Sequence, residues 1–233
     1  MDSFTVDTVR TIHPESEMAL EIRECKGCGH WWIHPLPKQE YLNSLYSNRS
    51  RYVIPSNYKP LNDNTIRQAQ NISSRDYRRL QNQFGERKKG TKCLEIGVGA
   101  GVFHCFLKNQ GYDFHGIDPG NWNPSIQLFD DVESLPYRDY EMFFLFDVLE
   151  HLADPKELLL RLRRIAEVGA QIYCRFPNKD SIPAKLQKGK WGMILPLGHL
   201  HYFSHKSTER MLKSTGWNAR EISPINAHHN RWF

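Results

Sequence analysis

The stretch Cys93-Leu94-Glu95-Ile96-Gly97-Val98-Gly99-Ala100-Gly101 constrains this chain of 233 residues more than any other. A short apolar run passes into three alternate glycines, and Val102, Phe103, Phe106 and Leu107 follow at helical spacing. The pattern predicts a strand, a tight turn and an amphipathic helix. Glycine serves such a turn because the chain bends through angles that a Cβ disfavours, and because a ligand can lie on bare main chain. Gly97, Gly99 and Gly101 are therefore expected at a nucleotide-like ligand. A dinucleotide fingerprint places its third glycine at position 102, where pyrophosphate meets the helix N-terminus. This chain has Val102 there, and acidic Glu95 stands two residues before the first glycine. A carboxylate is a poor neighbour for phosphate and suits a ligand carrying a positive amino group and a sulfonium. Asp118, at the end of the next predicted strand, is placed to accept hydrogen bonds from ribose hydroxyls. Nicotinamide sites use an acid there too, so Asp118 alone indicates a nucleoside.

Beyond Lys92 the chain alternates apolar runs with amphipathic helices, which predicts β-α-β units and a mainly parallel sheet. Strands are expected at Cys93–Ile96, Asp113–Ile117, Ile126–Phe129, Glu141–Phe146, Ala170–Phe176 and Trp217–Ile222. Helices are expected from Val102 to the stop at Gly111, from Pro155 with an inner stripe of Leu158, Leu159, Leu162 and Ile165, and from Ser207 to Ser214. The region before residue 90 is polar, aromatic-rich and broken by prolines. Two helices are expected there, Lys38–Tyr46 and about Asp63–Phe84. The fold class is α/β, a Rossmann-like mainly parallel sheet with helices on both faces. A small N-terminal appendage, helical or like a degenerate zinc ribbon, spans residues 1–60, and its Tyr41, Tyr46, Tyr52 and Tyr58 belong either to a lid over the ligand site or to an ordinary aromatic surface. Residues 61–233 form the main domain.

Composition excludes other classes. A content of 39% hydrophobic and 24% charged residues is that of a globular protein, not a disordered one. No run approaches the roughly 20 apolar residues that span a bilayer, and the N-terminus lacks a basic region followed by an apolar core, so a cytoplasmic protein without membrane attachment is expected. Five cysteines, an odd number in mostly apolar contexts, read as reduced thiols. The net charge of +5 is dispersed rather than gathered on one arm, so a nucleic-acid partner is not expected.

Six segments carry a family resemblance: Cys93–Gly101, Gly116–Pro119 (GIDP), Asp131–Pro136 (DVESLP), Asp147–Pro155 (DVLEHLADP), His199–Ser204 (HLHYFS) and Met211–Trp217 (MLKSTGW). In this order the chain from about Lys92 to Ile222 resembles the class I S-adenosylmethionine-dependent methyltransferases. It is most similar to the group holding ubiquinone-pathway O-methyltransferases and bacterial sugar methyltransferases. The resemblance implies S-adenosyl-L-methionine as cofactor, with Glu95 and Gly97 at its methionine end and Asp118 at the ribose. It places Asp131 at the adenine amino group, with Asp130 the alternative, Val132 beside the ring and Asp147 near the methionine moiety. It also implies a small-molecule methyl acceptor, sugar-derived or quinone-like, methylated at oxygen or carbon. The alternatives are a cofactor-binding protein without turnover and a nucleic-acid methyltransferase.

Methyl transfer from a sulfonium is a direct displacement, so much of the catalysis can be positional. A hydroxyl acceptor gains from a base that takes its proton. His151 is the first candidate, since Asp147–His151 follows the fourth strand at its C-terminal end, where ligands bind in such sheets, and imidazole titrates near neutrality. A locally packed or capping histidine is the alternative. Glu150 orients His151 or binds substrate. His199 and His201 alternate in a segment that reads as extended, which points them to one face and toward the acceptor. Trp191 and Tyr202 wall that pocket or belong to the core.

Cys25-x-x-Cys28-Gly29 is half of a zinc-ribbon pattern. A structural zinc site needs four ligands, and only His13, His30 and His34 are near enough in sequence to complete one. A degenerate ribbon is the reading, and no metal ligand is assigned.

Overall fold

The computed structural model describes residues 2–4, 20–47, 71, 74–75, 77–79, 81–82, 85–120, 126–195 and 197–220. In chain order the elements are strands β1 (Asp2–Phe4), β2 (Glu21–Glu24) and β3 (Trp31–His34), helix α1 (Gln39–Ser47), strand β4 (Lys92–Ile96), helix α2 (Val102–Asn109) and strands β5 (Asp113–Ile117) and β6 (Tyr140–Phe146). Helix α3 (Pro155–Arg164), strand β7 (Ala166–Arg175), helix α4 (Ile182–Gln187), strand β8 (His201–Tyr202) and helix α5 (His205–Ser214) follow, with single 3-10 turns at Leu149–His151 and Lys188–Lys190. Helical backbone at 71, 74–75, 77–79 and 81–82 falls within the long helix expected before the glycine loop, whose other residues lie outside those described.

The chain divides into two compact units. One comprises Ile54–Phe146 and Arg164–Arg175, the other Met1–Val53, Asp147–Arg163 and Phe176–Phe233. The first holds a four-stranded sheet of order β5-β4-β6-β7, parallel at every pairing. β4 and β6 are central, and their apolar runs have the composition that burial demands; Leu94, Phe143 and Leu145 are fully buried. α2 lays Phe103 and Leu107 into a core shared with Cys93, Tyr112, Phe114, Met142 and Phe144. Phe103 meets Phe114, Phe144 and Phe146 edge-on at centroid separations of 4.8–6.2 Å, an arrangement that aromatic quadrupoles favour.

The strand expected at Ile126–Phe129 is reduced to one bridge, Phe129 to Ile117. Just downstream the Arg138 guanidinium donates to the carbonyls of Val132, Glu133 and Leu135, which holds that loop together.

The second unit holds an antiparallel sheet of order β1-β2-β3-β8. The N-terminal region is thus built on strands as well as on α1. Ile22, Ile33, Trp31, Ala184, Trp191 and Tyr202 form its core. α5 starts at a capping box, in which Ser204 accepts from the Ser207 N–H at 3.0 Å and Ser207 Oγ accepts from the Ser204 N–H at 2.8 Å. Gly216, at φ +79, follows the helix. No strand forms at Trp217–Arg220, the described part of the last expected strand. Instead the Trp217 indole donates to the Leu159 carbonyl at 3.1 Å and lies under Arg163, which holds this segment to α3. Among the described residues no helix is long and apolar enough to cross a membrane.

Candidate functional site

β4 ends at the glycine turn. The Gly97 N–H donates to the Ile117 carbonyl at 2.8 Å and the Gly101 N–H to that of Val98 at 2.9 Å. Gly101 has φ +79, and a Cβ there would lie 1.9 Å from Ile126 Cδ1. Asp118 Oδ2 accepts from the Gly99 N–H at 2.7 Å and Oδ1 from the Gly120 N–H at 2.6 Å. Asp118 therefore ties the glycine turn to the end of β5 before any ligand arrives. Each of its oxygens keeps a second lone pair for a hydroxyl.

Glu95 is 3% exposed, and its Oε2 has no hydrogen-bond partner among the described residues. Burial raises its carboxyl well above the usual range, the Asp118 charge adds to this, and Arg175 opposes it. His104, in the first turn of α2, is 2% exposed with its Nδ1 3.9 Å from Glu95 Oε2. Sequence reasoning missed it. The signal was a histidine beside Phe103 on a helix whose apolar face had been assigned without it.

Val132 is buried, whereas Asp130 and Asp131 are exposed. Asp131 Oδ1 accepts from the Ser134 N–H at 2.8 Å, a local turn contact that leaves its other oxygen to solvent. Asp147 follows β6 in the left-handed region at φ 56, unusual for a residue with a Cβ.

In the second unit Glu150, His151 and His199 converge, with one donor atom of each within 4.8 Å of the others. The His151 Nδ1–H donates to the Gly198 carbonyl at 2.9 Å, and the His199 Nδ1–H to the Met193 carbonyl at 2.7 Å. Both rings are thereby held in one tautomer, with Nε2 left as a lone-pair acceptor. The Leu200 N–H donates to the Glu150 carbonyl at 2.7 Å and joins the same two segments. Burial takes the His151 imidazole down to about 3, helped by His199 and opposed by the Gly198 bond. His199 is lowered too, chiefly by burial, against the Met193 bond and the Asp147 charge. Both are neutral rings at neutral pH, so the near-neutral titration expected of His151 does not hold in the folded chain: burial disfavours its charged form. His151 Nε2 is 4.0 Å from Glu150 Oε1.

His201 does not join this cluster. Strand β8 begins only at His201, and His199 is held by turn bonds to Leu195, so the expected same-face alternation does not form. His201 Nδ1 lies 3.1 Å from His30 Nε2, and its Nε2 donates to the Ala153 carbonyl at 3.4 Å. Trp191 and Tyr202 are core residues. Cys25 and Cys28 flank a tight turn in which the Gly29 N–H donates to the Cys25 carbonyl at 2.6 Å, and His30, one of the histidines proposed to complete a zinc site, pairs with His201. His13, Tyr52 and Tyr58 lie outside the described residues.

Residues 66–222 match the methyltransferase domain family. The chain belongs to this family. Its expected place among the class I S-adenosylmethionine-dependent methyltransferases is thereby shown. The methyltransferase domain is 28% identical over 107 residues to ubiquinone biosynthesis O-methyltransferase of Pseudomonas aeruginosa, a match covering 39% of this chain and 46% of that one. The aligned part is thus less than half the length of this relative. In fold it is similar to magnesium protoporphyrin IX methyltransferase of Synechocystis, with a TM-score of 0.53 at 15% identity over 84% of this chain and 95% of that one. A methyltransferase of Thermotoga maritima gives a TM-score of 0.50 at 16% identity, over 77% and 81% of the two chains.

Proposed function

We propose that the protein transfers a methyl group from S-adenosyl-L-methionine to a small sugar-derived or quinone-like molecule, at a hydroxyl oxygen or an acidic carbon. The cofactor would supply an electrophilic methyl on sulfur. The residues fit it: bare backbone at Gly97, Gly99 and Gly101, a buried carboxylate at Glu95 for the amino group, and Asp118 with lone pairs in reserve for the ribose. Asp131, with Val132 beside it, is assigned to the adenine and Asp147 to the methionine moiety. The domain assignment forms part of this reading, with residues 1–60 as appendage and lid and 61–233 as the transferring domain.

The observation that carries the acceptor assignment is the pair of tautomer-locked imidazoles beside Glu150. His151 Nε2 takes the acceptor's proton as the new bond forms, gaining a charge that burial disfavours and that the adjacent Glu150 must offset, while His199 fixes the acceptor by a hydrogen bond. Alignment supplies the larger share of the acceleration. His201 serves indirectly, by tying His30 to the Ala153 carbonyl through its two ring nitrogens. The similarity to the Pseudomonas O-methyltransferase favours oxygen over carbon.

The test is a labelled methyl-transfer screen of the full chain against catechols, other phenols, sugar nucleotides and transfer RNA. Turnover of a small hydroxyl compound, lost in His151→Ala while S-adenosylhomocysteine still binds, is the expected result. Turnover of RNA alone would overturn the acceptor assignment.

A further inference from the structure

Two buried polar atoms in the sheet unit face each other without hydrogen-bond partners among the described residues, Glu95 Oε2 and His104 Nδ1. They are 3.9 Å apart, on side chains 4% and 2% exposed. That gap is about 1 Å longer than a hydrogen bond, so a small rotation of either side chain closes it. An unsatisfied buried polar group costs about 1–3 kcal/mol, and two opposed ones of complementary chemistry need a reason.

The surroundings are built to keep the imidazole there. A Cβ on Gly116 would lie 3.1 Å from His104 Nδ1 and 2.5 Å from Val98 Cγ2, so glycine in β5 leaves the room the ring occupies. The opposite side of the ring stands edge-on to Phe114 at 4.9 Å. The charged and titratable groups acting on the pair are few. Asp118 and Arg175 act on Glu95 in opposite senses. Lys108 and His115 act on His104, which burial carries down to about 4. Cys105 lies within the field of Glu95. Burial thus pushes both members of the pair toward their uncharged forms, the Glu95 carboxyl upward and the His104 imidazole downward.

A ligand ammonium group, which the proposed cofactor carries, changes the balance, because it needs a carboxylate opposite it. We propose that His104 is the positioning residue for Glu95: when the ammonium arrives, the Glu95 O–H bond breaks, an N–H bond forms at His104 Nδ1, and the carboxylate is held between two cations. The proton stays inside the protein, and cofactor binding is nearly independent of pH. This rests on the cofactor reading above and adds to it a residue that the glycine-loop pattern does not contain.

The experiment is calorimetric titration of the full chain with S-adenosylhomocysteine in buffers of different ionisation enthalpy at pH 7.5, for wild type, His104→Phe and His104→Asn. Wild type is expected to release almost no proton. Both variants are expected to release about one, so that their Kd improves about tenfold per pH unit from 6 to 8 while that of wild type stays within about twofold. Nitrogen NMR of labelled histidine in wild type carries the same decision without a substitution: the His104 ring passes from neutral to imidazolium on binding. A neutral ring in the complex, or proton counts equal in all three proteins, overturns the role of His104 while leaving the cofactor reading standing. Failure of S-adenosylhomocysteine to bind wild type would take down both.

Discussion

The glycine turn and the Glu150–His151–His199 cluster are organised by opposite means. The turn is made of main chain: glycine N–H groups, a carboxylate bridging two of them, and bare backbone where Gly101 leaves no room for a side chain. The histidine cluster is made of side chains whose orientation is borrowed from distant carbonyls, Gly198 for His151 and Met193 for His199. A binding surface for one invariant ligand can be backbone, because backbone does not vary with sequence. A pocket that must choose its substrate needs side chains, with neighbours to hold them.

Substitutions can break that contrast, beginning with the largest effect. His151→Ala should lower kcat by about 10²–10⁴-fold, the range of a lost general base, and leave the S-adenosylhomocysteine Kd within about twofold; a large change in Kd would erase the division between the two regions. Asp118→Ala removes two charge-assisted bonds from the turn, each worth about 1.5–3 kcal/mol. The Kd for S-adenosylhomocysteine should rise at least about 100-fold in calorimetry, at little cost to the histidine cluster's NMR signals. Gly116→Ala crowds Val98, Leu128 and His104, and overpacking of this kind costs about 1–3 kcal/mol, read as a lower urea midpoint.

A separate effect comes with pH. His30 and His151 are held down to about 3 and His104 to about 4. Their unfolded forms take up protons near pH 6.5 and the folded forms do not, so stability is full above that pH and is lost as pH falls toward 4 and 3. Each contributes up to about 1.4 kcal/mol per pH unit within its window. Urea melts at pH 7.0 and 5.5 should show the decline, and His104→Phe should flatten it.

The same contrast governs what could be read from sequence. Glu95, the glycines and Asp118 lie within 24 residues on consecutive elements, and strand-turn-helix-strand spacing is enough to assemble them. The Asp113–Ile117 strand has the bounds expected, and β4, β6 and α3 lie within a residue or so of theirs. The strand at Ile126–Phe129 survives only as the single bridge of Phe129 to Ile117, because four residues of local pattern do not decide whether a ladder forms. The histidines were legible as residue types, not as partners. Nothing local tells that His199 turns to His151, 48 positions away, while His201 turns to His30. His104 was hidden for the converse reason: its chemistry lies on a helix face that periodicity assigns to the core.

Asp147 carries a different message. A residue with a Cβ held at φ 56 gives up about 1–2 kcal/mol that glycine would recover. The chain thus keeps a stabilising substitution in reserve at the junction between strand β6 and the turn that bears Glu150 and His151. Asp147→Gly would be the first variant to emerge from a screen for heat resistance alone, and among the first discarded by a screen for turnover. Where those two selections disagree, a side chain is being kept for its chemistry.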